Sequence, residues 1–128
     1  MPKESSSCLF CSIPPERIIA ENDLAFAIRD GFPVTEDHTL VIPKRHAEDY
    51  FELTAEELLA CDDLLRKLRG DILYADSGVQ GFNIGMNVGA AAGQTIFHCH
   101  IHLIPRRSGD VENPRGGVRG VIPKKQSY

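Results

Sequence analysis

The stretch Phe97-His98-Cys99-His100-Ile101-His102-Leu103-Ile104-Pro105 constrains this chain more than any other. Three of the protein's 5 histidines recur here at every second position, with small or apolar residues between them. Strict alternation is the period of a half-buried β-strand. Successive strand side chains point to opposite faces, so His98, His100 and His102 are expected to share one face, roughly 7 Å apart along the strand. Cys99, Ile101 and Leu103 then face a core. Pro105 has no amide donor and is expected to end the strand.

A row of imidazoles suits zinc, for which neutral imidazole is a common ligand. It equally suits catalysis, because a neutral imidazole near pH 7 is both a nucleophile and an acid/base group. A polar sheet face with satisfied histidines is the plain alternative, and three histidines in register argue against it.

The remaining elements read as strand, strand, helix, strand before the histidine row. Ile13-Pro14-Pro15-Glu16-Arg17-Ile18-Ile19 is a proline-marked turn leading into a short segment. Residues 24–29 and 39–43 read as strands, the second wholly apolar and therefore central, with residues 31–37 as a loop. Thr54 and Glu57 have capping-box spacing, and Leu58, Cys61, Leu65, Leu68 and Ile72 form one apolar stripe, so a long helix is expected there. Residues 77–81 read as a turn-rich loop and 82–88 as a strand. Gly89-Ala90-Ala91-Ala92-Gly93-Gln94-Thr95 is a loop of small residues through which backbone amides could approach a phosphate. Lys44 and Arg45 read as a solvated corner. This order predicts an α+β fold, an antiparallel sheet with one long helix.

At 128 residues the chain is expected to be a single domain, 1–128, with an irregular Gly- and Pro-rich arm over 111–128. No apolar run reaches the ~20 residues that cross a bilayer, and Met1–Ser7 lacks a secretory apolar segment, so a cytoplasmic protein without a membrane partner is expected. Residues 106–128 carry six Lys/Arg against two acids, whereas the remainder carries eight against sixteen. The basic end suits a polyphosphate ligand or is a solvated tail; the acidic body offers nucleic acid no extended basic face. Four cysteines in such a chain are not a disulfide framework. Cys61 and Cys99 read as small buried hydrophobes. Cys8-Leu9-Phe10-Cys11 can offer two thiolates to one zinc, with a redox pair as its rival. His46 and His98 are candidates for the two further ligands.

The run from Gly93-Gln94-Thr95 through His98-Cys99-His100-Ile101-His102-Leu103-Ile104 to Arg106 resembles the signature of the histidine triad (HIT) superfamily of nucleotide hydrolases and transferases, and the likeness spans about residues 8–110. It implies an α+β HIT-like domain that pairs into a homodimer sharing an extended sheet, with Val118, Val121 and Ile122 available to a second subunit. It implies a nucleotide substrate and His100 as nucleophile, giving a nucleotidyl-histidine intermediate. His102 would hydrogen-bond the α-phosphate, and Gln94 and Thr95 would steady the leaving group. Asp30 would accept from the ribose hydroxyls, His38 would lie at the base of the site, and Asn87 and Gly93 would line it. Phe10, Ile18, Phe26 and Ile28 would wall the base. A structural zinc would sit on Cys8, Cys11, His46 and His98, or His98 would instead face substrate with the other two triad histidines. No catalytic metal is required, with Mg2+ accompanying a polyphosphate. Within the family, dinucleoside polyphosphates such as diadenosine tetraphosphate are the expected substrates. Nucleoside phosphoramidates, or a non-catalytic nucleotide-binding role, are the alternatives.

Overall fold

The computed structural model describes residues 7–128, so the reading of Met1–Ser7 as lacking a secretory apolar segment lies, apart from Ser7, outside the described residues. Five antiparallel strands form one sheet: β1 (Ile18–Glu21), β2 (Ala25–Arg29), β3 (Thr39–Pro43), β4 (Val79–Gly85) and β5 (Ile101–Arg107), in the spatial order β1-β2-β3-β5-β4. A single long helix, α1 (Ala55–Ala75), lies on one face. The α+β architecture expected from the element order is present.

The sheet's alternation explains both of its faces. In β2, Ala25 and Ala27 pack under α1 with Val41, Ile101 and Leu103. Their small side chains let the helix settle close, through Cys61, Leu64, Leu68 and Ile72. Phe26 and Ile28 point the other way and join Leu40, Ile42 and Phe10 in a second cluster. Strands β2 and β3 are therefore apolar almost throughout because both faces are covered. The helix begins at its capping box: Glu57 N–H donates to Thr54 Oγ1 (3.1 Å), and Thr54 N–H donates to Glu57 Oε1 (2.9 Å).

Four local expectations are corrected. First, Pro105 does not end its strand, because β5 continues to Arg107. Its pairing with β3 stops at Thr39↔Leu103, and the Pro105 carbonyl accepts from Thr35 Oγ1 (2.7 Å). In an antiparallel strand a residue's nitrogen and oxygen face the same side, so the missing amide faces a loop rather than a ladder. Second, His98 and His100 precede β5, and only His102 lies on it. Third, β4 starts at Val79 and ends at Gly85, opposite His102; an irregularity between Val79 and Gly81 absorbs the glycine-rich start. Fourth, Arg45 is no solvated corner. It grips the Glu57 carboxylate, whose side chain is 5% exposed, through Nε (3.0 Å) and an Nη (2.8 Å), tying the β3 exit to the start of α1. That pair holds Glu57 below the usual carboxylate range and raises Arg45.

The face opposite α1 positions the site. Over β2 and β3 it is covered by the N-terminal turn carrying Phe10. Over β4 and β5 the C-terminal arm lies above Asn83, Ile104 and Arg106. His102 lies between the two covers and lines a cavity under each.

Candidate active site and metal centre

The first cavity, about 520 Å3, is bounded by the N-terminal turn, the Asp30–His38 loop and the segment before β5. Asp30, His38, Asn87, Gly93, Thr95, His100 and His102 all line it. The sequence scattered these residues over 73 positions, and the sheet brings them together.

The hydrogen bonds assign the protons. His100 Nδ1–H donates to the His98 carbonyl (2.8 Å), so the neutral ring keeps its lone pair on Nε2. Val34 N–H donates to His38 Nδ1 (3.0 Å), which leaves the His38 proton on Nε2. That Nε2–H faces His102 Nδ1 at 2.9 Å, with an Asp30 oxygen at 3.4 Å. His102 Nδ1 is then an acceptor, and its remaining nitrogen, Nε2, carries hydrogen. The two neighbouring rings, with centroids 5.3 Å apart, thus combine an Nε2 lone pair on His100 with an Nε2 donor on His102. Burial, reinforced by the nearby His100 and His38 rings, pushes His102 down to about 4 and keeps it neutral near pH 7. Burial also lowers His38, against the opposing pull of Asp30.

Asp30, His38 and His102 bring donor atoms within 4.8 Å of one another, close enough to suggest a second metal. A metal at His38 Nε2 would displace the ring proton to Nδ1, against the Val34 N–H already pointing there. The trio is better read as a proton-positioning chain.

Two residues expected at the substrate lie elsewhere. Gln94 is 4% exposed. Its Oε1 accepts from Gly89 N–H (2.9 Å), and its Nε2 donates to the Glu48 carbonyl (2.6 Å) and the Ile96 carbonyl (3.2 Å). It shapes the 89–95 loop and does not line the cavity. The loop's amides at Ala92, Gly93 and Gln94 are spent on its own turns, which Gly89 and Gly93 make possible at φ of 88° and 96°. His98, also proposed as a catalytic group, has 0% exposure and lies outside the cavity lining. Among the expected wall residues, Phe10 and Ile28 line the cavity; Phe26 and Ile18 belong to the packing behind it. Sequence reasoning missed Phe32, Leu40 and Ile96 as lining. Nothing in their local pattern distinguishes them from ordinary core or loop residues.

The other face of His98 belongs to a second cluster. Cys8, Cys11, His46 and His98 each place one donor atom within 4.8 Å of the others. Cys8 Sγ and Cys11 Sγ lie 3.5 Å from His98 Nδ1, and Cys11 Sγ lies 3.1 Å from His46 Nδ1. A tetrahedral zinc with its usual bond lengths separates a sulfur from a nitrogen ligand by about 3.5 Å. His98 Nε2 is 2.8 Å from the Pro43 carbonyl, the outer hydrogen bond that fixes a metal-binding tautomer. Donor types, spacing and tautomer all fit zinc. The other two cysteines do not resemble ligands: burial pushes the Cys61 thiol up to about 11 and the Cys99 thiol up to about 12.

The basic C-terminal segment is largely self-partnered. Arg106 is held by Asp110 (2.8 Å) and Asn83 (2.6 Å), and Arg107 by Asp76 (2.9 Å). Arg115 and Arg119 stack on the Tyr128 ring at 4.9 and 4.8 Å. Arg115, Arg119, Lys124 and Lys125 are all exposed, and the two arginines keep their charge while stacked on the ring, so the arm's positive excess lies on these four side chains.

Residues 13–109 match the HIT domain model. The chain belongs to the HIT family. This HIT protein is 43% identical over 106 residues to the uncharacterised HIT-like protein MG132 of Mycoplasma genitalium, covering 80% of this chain and 74% of that one. It is 37% identical over 109 residues to the adenylylsulfatase HINT3 of Arabidopsis thaliana, covering 82% of this chain and 55% of that one. Among solved structures it resembles a Zn-bound histidine triad family protein from Mycobacterium smegmatis, with a TM-score of 0.75 and 36% identity over 84% of this chain and 80% of the other. None of the described helices is long and apolar enough to cross a membrane.

Proposed function

We propose that this HIT protein hydrolyses a nucleotidyl phosphate anhydride by way of a covalent intermediate on His100 and releases a nucleoside monophosphate. The observation that carries the reading is the His100 Nδ1–H bond to the His98 carbonyl, which leaves an Nε2 lone pair on a ring that lines the cavity. An anionic phosphate repels nucleophiles, so the attacking group must be neutral and a donor must meet the developing charge. His100 Nε2 forms the bond to the α-phosphorus while the bridging P–O bond breaks and its electron pair leaves with the departing polyphosphate. The His102 Nε2–H hydrogen-bonds an oxygen of the reacting phosphate; Thr95 offers a hydroxyl beside it. Water then attacks the same phosphorus. The P–N electron pair returns to His100, and one proton of the water passes to solvent.

Asp30 is suited to accept from the ribose hydroxyls, because its carboxylate is positioned by Phe32 N–H (2.8 Å) at the cavity edge. Phe10, Ile28 and Leu40 offer an apolar wall for the base. Zinc on the four-ligand cluster would fix His98, whose carbonyl in turn sets the His100 tautomer. The favoured substrates are dinucleoside polyphosphates such as diadenosine tetraphosphate, acted on by a homodimer. The adenylylsulfatase relative supports nucleotidyl hydrolysis and keeps a smaller leaving group as a second reading. The test is incubation with diadenosine tetraphosphate, adenosine phosphoramidate and adenylyl sulfate, with separation of products. AMP from diadenosine tetraphosphate is expected; no AMP from any of the three contradicts the proposal.

A further inference from the structure

Arg17 is the only Lys or Arg that lines the first cavity. Its place follows from register. The short turn Pro15–Arg17 hands the chain to β1, where Ile18 pairs antiparallel with Ile28. Arg17 therefore stands opposite Arg29, the residue before Asp30, and its Nη2 donates to the Arg29 carbonyl (3.2 Å). That bond takes a single N–H of the guanidinium fork. Among the described residues the exposed Arg17 side chain makes no other hydrogen bond and no ion pair. Gly31 leaves the fork open to the cavity: a Cβ there would come within 4.0 Å of Arg17 Nη2 and of nothing else beyond its chain neighbours.

With the reacting phosphate at His100 and His102 and the ribose at Asp30, the base of a bound nucleotide lies at the end of the cavity formed by the N-terminal turn and Arg17. Phe10, Ile28, Leu40 and the 92% exposed Phe32 can cover the flat faces of any base there, and none of them reads its edge. Besides Asp30, the polar side chains at that end are Ser12 and Arg17. A hydroxyl both donates and accepts, so Ser12 suits every base. A guanidinium only donates, and its fork matches two adjacent acceptors. Guanine and hypoxanthine present such a pair at O6 and N7. Adenine sets an amino donor beside N7, so one Arg N–H would face another donor, and pyrimidines have no N7.

We infer that Arg17, reached through the opening at Gly31, selects the base and favours 6-oxopurine nucleotides over adenine and pyrimidine nucleotides. The inference rests on the proposed nucleotidyl chemistry for the location of the base and adds the base's identity to it. The preferred substrate then carries guanine or hypoxanthine on the nucleoside whose phosphate is attacked. Adenine nucleotides still bind through the ribose, the phosphate and the apolar wall.

The experiment titrates the unmodified protein with GMP, IMP, AMP and UMP by calorimetry, which needs no turnover, and repeats the series in Arg17→Met, Arg17→Lys and Gly31→Val. GMP and IMP are expected to bind about tenfold tighter than AMP and UMP, the low end of what a bidentate Arg–guanine pair discriminates, because the side chain is exposed. Arg17→Met keeps the side chain's length without its donors and is expected to abolish that margin. Arg17→Lys keeps the charge without the fork and is expected to lose most of it. Gly31→Val sets a branched side chain beside the guanidinium and is expected to narrow the margin. Equal affinity for GMP and AMP in the unmodified protein overturns base selection. So does a margin that survives in Arg17→Met while all four nucleotides weaken alike, since Arg17 then only attracts phosphate. A margin fully kept by Arg17→Lys overturns it as well. Release of nucleoside monophosphate without any base preference leaves the hydrolase reading standing and removes the role of Arg17 alone. A base margin in a protein that releases none supports Arg17 and removes the hydrolase reading.

Discussion

Zinc removal is expected to release the N-terminal turn and lower stability measurably. Ordering Cys8–Cys11 costs about 1–2 kcal/mol per residue, or roughly 4–8 kcal/mol for the turn. Burial of Phe10, 7% exposed, returns about 1.5–3 kcal/mol, and the Cys11 N–H bond to the Cys8 carbonyl about 1 kcal/mol. Leu9 is 66% exposed and adds little. Zinc on the four-donor cluster would make up the deficit, because its ligands converge only in the native fold. These ranges leave a deficit of about 0–5.5 kcal/mol, so a chelator should cost a few kcal/mol, and at roughly 3–5 °C per kcal/mol for a domain of this size the melting temperature should fall by on the order of 10 °C. Cys11→Ala should lower it similarly, and chelator should then add almost nothing, since Cys11 makes two of the three close sulfur–imidazole approaches. Phe10 also packs edge-on against His100 at 5.0 Å, so loss of the turn should raise KM through the cavity wall more than it lowers kcat. Calorimetric melting with elemental analysis checks this. A wild-type protein free of zinc after purification, or equal chelator sensitivity in Cys11→Ala, would refute the reasoning.

Asp30→Ala should weaken nucleoside monophosphate binding by roughly 1–3 kcal/mol, the scale for losing hydrogen bonds to a charged group; unchanged affinity in calorimetry removes Asp30 from the ribose site. Acid should destabilise the fold through His102. Its native value near 4 lies below the unfolded value of 6.5, so between these pH values the unfolded chain binds more protons and stability rises with pH, being fully present above about 6.5. Discounted for the ring's partial solvent contact, this contribution is on the order of 2 kcal/mol, and His102→Asn should flatten the wild-type slope of stability between pH 4 and 6.5 in denaturant titrations. Parallel slopes for the two proteins would dismiss it.

Much of the fold was legible because its signals are local. The capping box at Thr54 and Glu57 and the stripe through Cys61, Leu68 and Ile72 needed only helical spacing, and wholly apolar β3 announced its central place. The triad's strand period was misleading in part. His98 and His100 alternate in sequence, yet the chain there runs beside Ala47, whose carbonyl accepts from Cys99 N–H (2.7 Å), before the ladder begins at Ile101. Pro105 looked like a terminus because sequence cannot reveal which edge of a residue faces a partner. Arg45 looked solvated because its partner Glu57 is twelve residues away, across a turn. The four metal-site donors were legible as residue types. Their convergence, like the His38–His102 bond across 64 positions, follows from β3 lying beside β5. Gln94 shows the limit of motif reading, since the same side chain serves a loop or a substrate according to the carbonyls around it.

The central claim is that His100 carries the nucleotide. Rapid acid-free quenching of the protein with diadenosine tetraphosphate, followed by proteolysis and mass spectrometry, measures this directly. The account predicts an acid-labile adenylyl group on the peptide containing His100, formed within a single turnover and absent from His100→Asn, which should bind AMP and release none. Undiminished turnover in His100→Asn, or an adenylyl group found on His98 or His102 instead, would contradict it.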